Sequence, residues 1–349
     1  MLSARVPSGP QEEDAHPPSL RSSGADTFGT VLDVLLAAVA LTAPRVDDAH
    51  AAWSHDGRSI AFDRTYRVGG GSANASIVVA SSDGRMLREI TSTSAPFQAV
   101  RPVWSRSDEW VAFEVGSDLL PTTVQWERRD GRHANALFTG GGLFSTASPP
   151  SWSPDGRRLA VAGDLGGSAG VYVVARDTGR LRRVAGGPVR FAAWSPDGQR
   201  IAYADAVSLA LASPGGGRPT RLPAPPARLA WSPDARRIAY AAGCTIGVVS
   251  ANARGAPPAL APCSSEVETS APSWSPDGRR IAYSVCRRPV CSVFVVPASG
   301  AEGVQITGAR DPSWSPDGRL IAYTRVVGSS ATRIYLVRPD GTHVRPFLH

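Results

Sequence analysis

Pro-Ser-Trp-Ser-Pro-Asp-Gly-Arg-Arg-Ile-Ala-Tyr, residues 272–283, recurs forty residues later as Pro-Ser-Trp-Ser-Pro-Asp-Gly-Arg-Leu-Ile-Ala-Tyr, residues 312–323. Working back along the chain, the same string appears at 228–240, 192–203 and 150–161. More loosely it appears at 101–113 (RPVWSRSDEWVAF) and 51–62 (AAWSHDGRSIAF). The seven copies place tryptophans at Trp53, Trp104, Trp152, Trp194, Trp231, Trp274 and Trp314. A period of ~40–45 residues is that of a four-stranded propeller blade.

Each copy reads as local physical chemistry. A short apolar run ending at Trp is the innermost strand. Ser-Pro-Asp-Gly then sets proline where φ near −65° is wanted and glycine where φ turns positive, which closes a hairpin. Ile-Ala-Tyr is the second strand, with a small alanine where neighbouring blades approach. Third strands are clear at 76–80, 170–175, 245–250, 292–297 and 333–338, and a last outer strand at 344–348. The fold class is therefore all-β, a propeller of seven four-stranded blades, with six or eight as the alternatives. Two copies depart from the pattern: Ala235 stands where a turn glycine is expected, and Glu109 is read at that place in the second copy. Altered turn geometry is predicted at both.

The string W-S-P-D-G-[RK]-x-[IL]-A-[YFV] resembles the WD40-like repeat of TolB-type propellers, which is also found in the propeller domains of prolyl oligopeptidase and dipeptidyl-peptidase relatives. The resemblance covers roughly residues 49–349. It implies a propeller that binds partners. An envelope role like that of TolB itself, a six-bladed propeller with an additional N-terminal domain, would be an analogy of fold.

The domain reading is a disordered segment at 1–27, an apolar signal-like segment at 28–46 and the propeller at 47–349. Residues 1–27 are polar, rich in Pro and Ser, with Glu12, Glu13 and Asp14 in a run. Residues 31–43 (VLDVLLAAVALTA) suit a secretory apolar region and are short for a stable membrane span. The expectation is export to the periplasm, envelope or exterior, with a cytoplasmic location as the alternative. Cys244, Cys263, Cys286 and Cys291 fall on one propeller face in adjacent blades. They suggest two disulfides, 244–263 and 286–291, in an oxidising compartment.

Net charge is +7 and every basic side chain is arginine, yet the arginines are scattered, without the basic clusters of a nucleic-acid groove. Nucleic acid is not expected as a partner. Catalytic signals are sparse. Gly166-Gly167-Ser168-Ala169-Gly170 matches G-x-S-x-G but lies in a loop between strands, with no strand-to-helix elbow. The six histidines are dispersed, with no metal-ligand spacing, so no metal, cofactor or enzymatic activity is expected. What remains is the channel mouth, where residues three or four before each Trp enter the innermost strands: His50, Arg101, Arg190, Arg228, Arg310 and Asp311. An arginine-lined mouth suits an acidic ligand or peptide. The loops 65–75 and 116–123 are further contact candidates on the same face. The functional expectation is a monomeric, non-enzymatic propeller that binds a protein or polysaccharide. The alternatives are a lyase- or lactonase-type propeller with a channel metal, or an accessory propeller of a peptidase-like system.

Overall fold

The computed structural model describes residues 45–67, 74–91, 97–117, 120–132, 134–136, 144–146, 148–243, 245–252, 259–261, 268–287, 290–300, 303–328 and 331–348. Both N-terminal segments read from the sequence lie outside these residues, apart from Arg45 and Val46, which already belong to the first strand, Arg45–Trp53. Cys244 and Cys263 lie outside them as well.

The described chain is all-β, built of successive antiparallel meanders that begin at an innermost strand and end at an outer one. The first two meanders share one sheet through a single parallel bridge between Ala75 and Gln98. The rest form sheets of four or five strands. Each W-S motif heads one meander, and we label the meanders blades 1 to 7 in chain order. The fifth strands arise because the innermost strand is broken in two. In blade 3 Phe144–Thr146 and Ser151–Trp152 both pair with Arg158–Leu165, and in blade 6 Glu268–Thr269 and Ser273–Trp274 both pair with Arg280–Arg287.

The repeated residues explain how blades stack. The central alanine of Ile-Ala-Tyr is fully buried in every blade. Its face receives the Trp, Ile and Tyr of the next blade, as where Ala160 and Val171 of blade 3 pack with Trp194, Ile201 and Tyr203 of blade 4. The same packing runs from blade 7 into blade 1, where Ala322, Ile334, Leu336 and Phe347 cover Ile60 and Phe62. Indole N–H groups add a directional tie. Trp104, Trp152, Trp231, Trp274 and Trp314 each donate to a carbonyl of the preceding blade's innermost strand, at 3.0–3.1 Å. Trp53, at the 7–1 boundary, has its buried Nε1 without such a partner. Arginines close several of these seams from outside: Arg158, Arg200, Arg237 and Arg280 lie over Trp194, Trp231, Trp274 and Trp314 of the next blade, 4.9–5.1 Å from the ring centres. At the 7–1 boundary Leu320 stands at the arginine's place, against Trp53.

The Ser-Pro-Asp-Gly turns are self-contained. In blades 3 to 7 the serine hydroxyl donates to the Asp carboxylate at 2.5–2.6 Å and accepts the N–H of the residue five positions on. These bonds hold the turn aspartates below the usual carboxylate pKa range. The turn glycine seats on the preceding blade's turn proline: a Cβ at Gly198, Gly278, Gly318 or Gly57 would lie 3.6–3.8 Å from Pro154, Pro233, Pro276 or Pro316.

Two expectations about turns need correction. Ala235 takes a glycine-like φ of +57° and its N–H bonds the Ser232 carbonyl at 2.9 Å, as the glycines do. In blade 2 the glycine place belongs to Asp108, not Glu109: Asp108 has φ +57° and its N–H bonds the Ser105 carbonyl at 2.9 Å. The surrounding ladder imposes the turn on both residues. The left-handed region costs an L-residue about 1–2 kcal/mol, least for aspartate. Strands also enter both of the expected contact loops. Strands Ser59–Arg67 and Asn74–Ser81 take in both ends of 65–75, and Ser117 pairs with Leu120; residues 68–73 and 118–119 lie outside the described residues.

Candidate functional site: the channel mouth of blades 7, 1 and 2

In blades 1, 2 and 7 the innermost strand slips register by a bulge, at Ala49/Ala52, Val100/Val103 and Arg310/Ser313. The residue three before the Trp then adopts a positive φ: His50 (+50°), Arg101 (+57°) and Asp311 (+54°). In blades 4 and 5 the same place is filled by Phe191 and Arg228, in regular ladders. Non-glycine residues in the left-handed region cost of order 1–3 kcal/mol and cluster at functional sites. Here three of them occur in contiguous blades, and the bulges re-aim their side chains.

Beneath them lie two carboxylates that the sequence reading passed over. The residue after Ile-Ala-Tyr is Asp63 in blade 1 and Glu114 in blade 2, against Ala162, Ala204, Ala241, Ser284 and Thr324 in blades 3 to 7. All seven are buried in the second strands, which at this level are polar in blades 1, 2, 6 and 7 and alanine in blades 3 to 5. This polarity is visible in the sequence once the seven copies are superposed.

The buried carboxylates hold the mouth residues. Asp63 Oδ1 lies 2.8 Å from His50 Nδ1 and accepts the Arg101 backbone N–H at 3.1 Å. The His50 backbone N–H donates to Thr324 Oγ1 of blade 7 at 3.3 Å, and His50 Nε2 lies 4.0 Å from Asp311 Oδ2. Arg101 Nη1 donates to Glu114 Oε2 at 2.9 Å. Burial alone would lower the His50 pKa, but the charge and hydrogen bond of Asp63 outweigh it and hold the imidazole above its usual value. Glu114 moves the other way: burial raises its pKa despite the Arg101 guanidinium, and its Oε1 is buried without a partner. Glu114 also feels the charges of His50 and of Arg228, so blade 5 presents Arg228 toward the same space.

Of the predicted mouth residues, the structure brings together His50, Arg101, Arg310 and Asp311, with Arg310 Nε 3.7 Å from Asp311 Oδ2. The Arg228 guanidinium lies 5.1 Å over the Phe191 ring. Arg190 extends the blade-4 ladder by donating its N–H to the Ala204 carbonyl at 3.0 Å, with its side chain in solvent. The exposed members of the set are cations apart from Asp311; the carboxylates that pair with them are 4% exposed. Ser168 lies in a hairpin whose tip, Gly166-Gly167, has two positive φ values, so it forms no nucleophile elbow. Among the described residues no group of three His, Cys, Asp or Glu side chains is placed to hold a metal ion. No described helix is long and apolar enough to cross a membrane. Cys286 and Cys291 form a disulfide across paired positions of the blade-6 hairpin on the mouth side.

No family model matches the chain, and no curated protein matches it in sequence. Solved structures do. TolB from Acinetobacter baumannii is 18% identical with a TM-score of 0.53, over 85% of this chain and 74% of that one. Oligogalacturonate lyase from Vibrio parahaemolyticus is 11% identical with a TM-score of 0.63, over 84% and 90%. The β-propeller domain of the Trilobed protease from Pyrococcus furiosus is 10% identical with a TM-score of 0.63, over 87% and 96%. These likenesses, the W-S-P-D-G strings and the stacked meanders agree: the fold of this chain is that of the TolB-like β-propellers.

Proposed function

We propose that this chain is an exported, non-enzymatic propeller of seven blades that engages a protein or polysaccharide partner through its channel mouth and the hairpins around it. The observation that carries this reading is the run of left-handed residues His50, Arg101 and Asp311, set by bulges in adjacent blades above the buried Asp63 and Glu114. Blades 4 and 5 stack with a regular innermost ladder, so stacking does not require the bulges, and only in blades 1, 2 and 7 does a left-handed residue stand three before the Trp. The Cys286–Cys291 disulfide supports export, since such bridges persist in oxidising compartments.

A photo-crosslinking residue placed at Arg190, on the mouth side, tests the reading against one placed at Arg319, in the opposite turns. Capture of one partner from the first position alone, lost on Arg101→Ala with Arg228→Ala, is the expected result. Capture only from Arg319 would overturn it. The His50–Asp63 pair favours a second reading, a propeller enzyme using His50 as an acid or base. The likeness to oligogalacturonate lyase and to prolyl endopeptidases keeps company with that reading. Turnover of a uronide or peptide substrate that is abolished by His50→Gln would establish it.

A further inference from the structure

We propose that the channel mouth binds the side-chain or terminal carboxylate of an acidic peptide segment, gripped by Arg101, Arg228, Arg310 and His50. This rests on the binding role proposed above and names its ligand. The charge layout points to an anion. The two deep carboxylates are already engaged with His50 and Arg101, while Arg101 and Arg310 keep 45% and 40% of their side chains in solvent and His50 keeps 32%. The Asp311 carboxylate at that level lies against Arg310 and His50. The deep acids keep the cations in place: Glu114 fixes Arg101 through one oxygen, and Asp63 holds the His50 ring by Nδ1, with Nε2 on the side of Asp311 at 4.0 Å. A ligand carboxylate meets prepositioned donors, and forked guanidinium groups suit it better than point charges would.

The surroundings favour a peptide over an acidic polysaccharide. Sugar rings are held by stacking on open aromatic faces. The aromatic ring placed three before a motif Trp, Phe191, is covered by the Arg228 guanidinium. Of the exposed large apolar side chains at this end of the blades, Phe97 (38%) is aromatic, whereas Val207 (71%), Val290 (52%) at the disulfide-braced hairpin of blade 6 and Val326 (51%) at that of blade 7 are aliphatic. Those suit apolar residues next to an acidic one.

The test is calorimetric titration of the full chain with an N-acetylated, C-amidated tetraglutamate peptide at 150 mM salt. Trigalacturonate serves as the second probe. The mouth variant is Arg228→Ala with Arg310→Ala. The charge-matched control is Arg85→Ala with Arg319→Ala, two arginines about 85% exposed at the opposite turns. Both variants leave Arg101 with Glu114, so no buried carboxylate is stripped of its partner, and melting temperatures check that both fold. The expected result is one-to-one binding of the peptide, weakened at least tenfold in the mouth variant and less than twofold in the control. Equal weakening in both, or no peptide binding, overturns the carboxylate assignment. If the crosslinked partner is still captured from Arg190 in that case, the binding role stands without it. Tighter, arginine-dependent binding of trigalacturonate than of the peptide overturns the peptide and makes the ligand a uronide.

Discussion

The Asp108 carboxylate of blade 2 accepts the backbone N–H of His55 in blade 1 at 2.7 Å, and that of Asp56 at 2.8 Å. In blades 3 to 7 the residue at the place of His55 is proline, which has no N–H, and the residue at the place of Asp108 is glycine or alanine. The two departures compensate each other. Where proline is lost, a donor is exposed in the inter-blade seam; where glycine is lost, an acceptor arrives to meet it.

Asp108→Gly should therefore destabilise the fold by about 1–2 kcal/mol, despite relieving the positive φ, because two N–H groups lose a charged acceptor. Combined with His55→Pro, which restores the pattern of the later blades, most of that loss should return. Urea unfolding of both single variants and the double variant reads the coupling. A double variant no more stable than Asp108→Gly would show that the contacts are independent.

The indole ties predict a contrast between two tryptophans. Trp274→Phe removes the donor that reaches the Ala230 carbonyl at 3.0 Å, whereas Trp53→Phe removes an N–H that bonds nothing. Loss of ring volume is common to both, so Trp274→Phe should cost about 1 kcal/mol more. Equal losses in thermal melts would reduce the indole bonds to packing.

Glu127 gives a pH signature. It is buried in the third strand of blade 2 at a place where the other blades carry Ala or Val, and burial pushes its pKa up to about 7. A carboxyl whose folded pKa lies above the unfolded value binds more protons when folded. Stability from this group is thus highest below about pH 4.5 and falls as pH rises toward 7. Glu127→Gln should be nearly neutral at pH 5 and stabilise by about 1–3 kcal/mol at pH 8. Unfolding curves at the two pH values check it, and an equal effect at both would refute the burial argument.

The Cys286–Cys291 disulfide closes a loop of only a few residues, so chain entropy assigns it about 2 kcal/mol. Cys286→Ser with Cys291→Ser should leave the propeller folded while amide exchange rises in the blade-6 hairpin alone. Exchange rising across all the blades would instead make the bridge a global brace.

The stacking logic was legible in the sequence because it depends on residues that recur: Trp, Ser, Asp, the turn glycine and the alanine of Ile-Ala-Tyr. The candidate site depends on residues that do not recur. His50, Arg101 and Asp311 could be placed at the mouth by counting back from each Trp. Their bulges could not, since a bulge changes register without changing the apolar pattern. Asp63 and Glu114 were missed because each looks like an ordinary polar end to an apolar strand until set beside Ala162, Ala204 and Ala241. The turn at Asp108 was misread for the opposite reason: a repeat invites matching by residue type, and there Asp stands one place later, where glycine belongs.

Each blade is built from consecutive strands, and among the described residues no strand pairs across the seam between the first blade and the last. The Ile60–Phe62 face of blade 1 is covered by residues 322–347. During synthesis that face emerges well before its cover. Nearly three hundred residues separate the two. For all that time blade 1 presents an apolar surface with no partner, the condition under which nascent chains aggregate. Closure of the 7–1 seam by residues 322–347 is thus the step that removes this hazard.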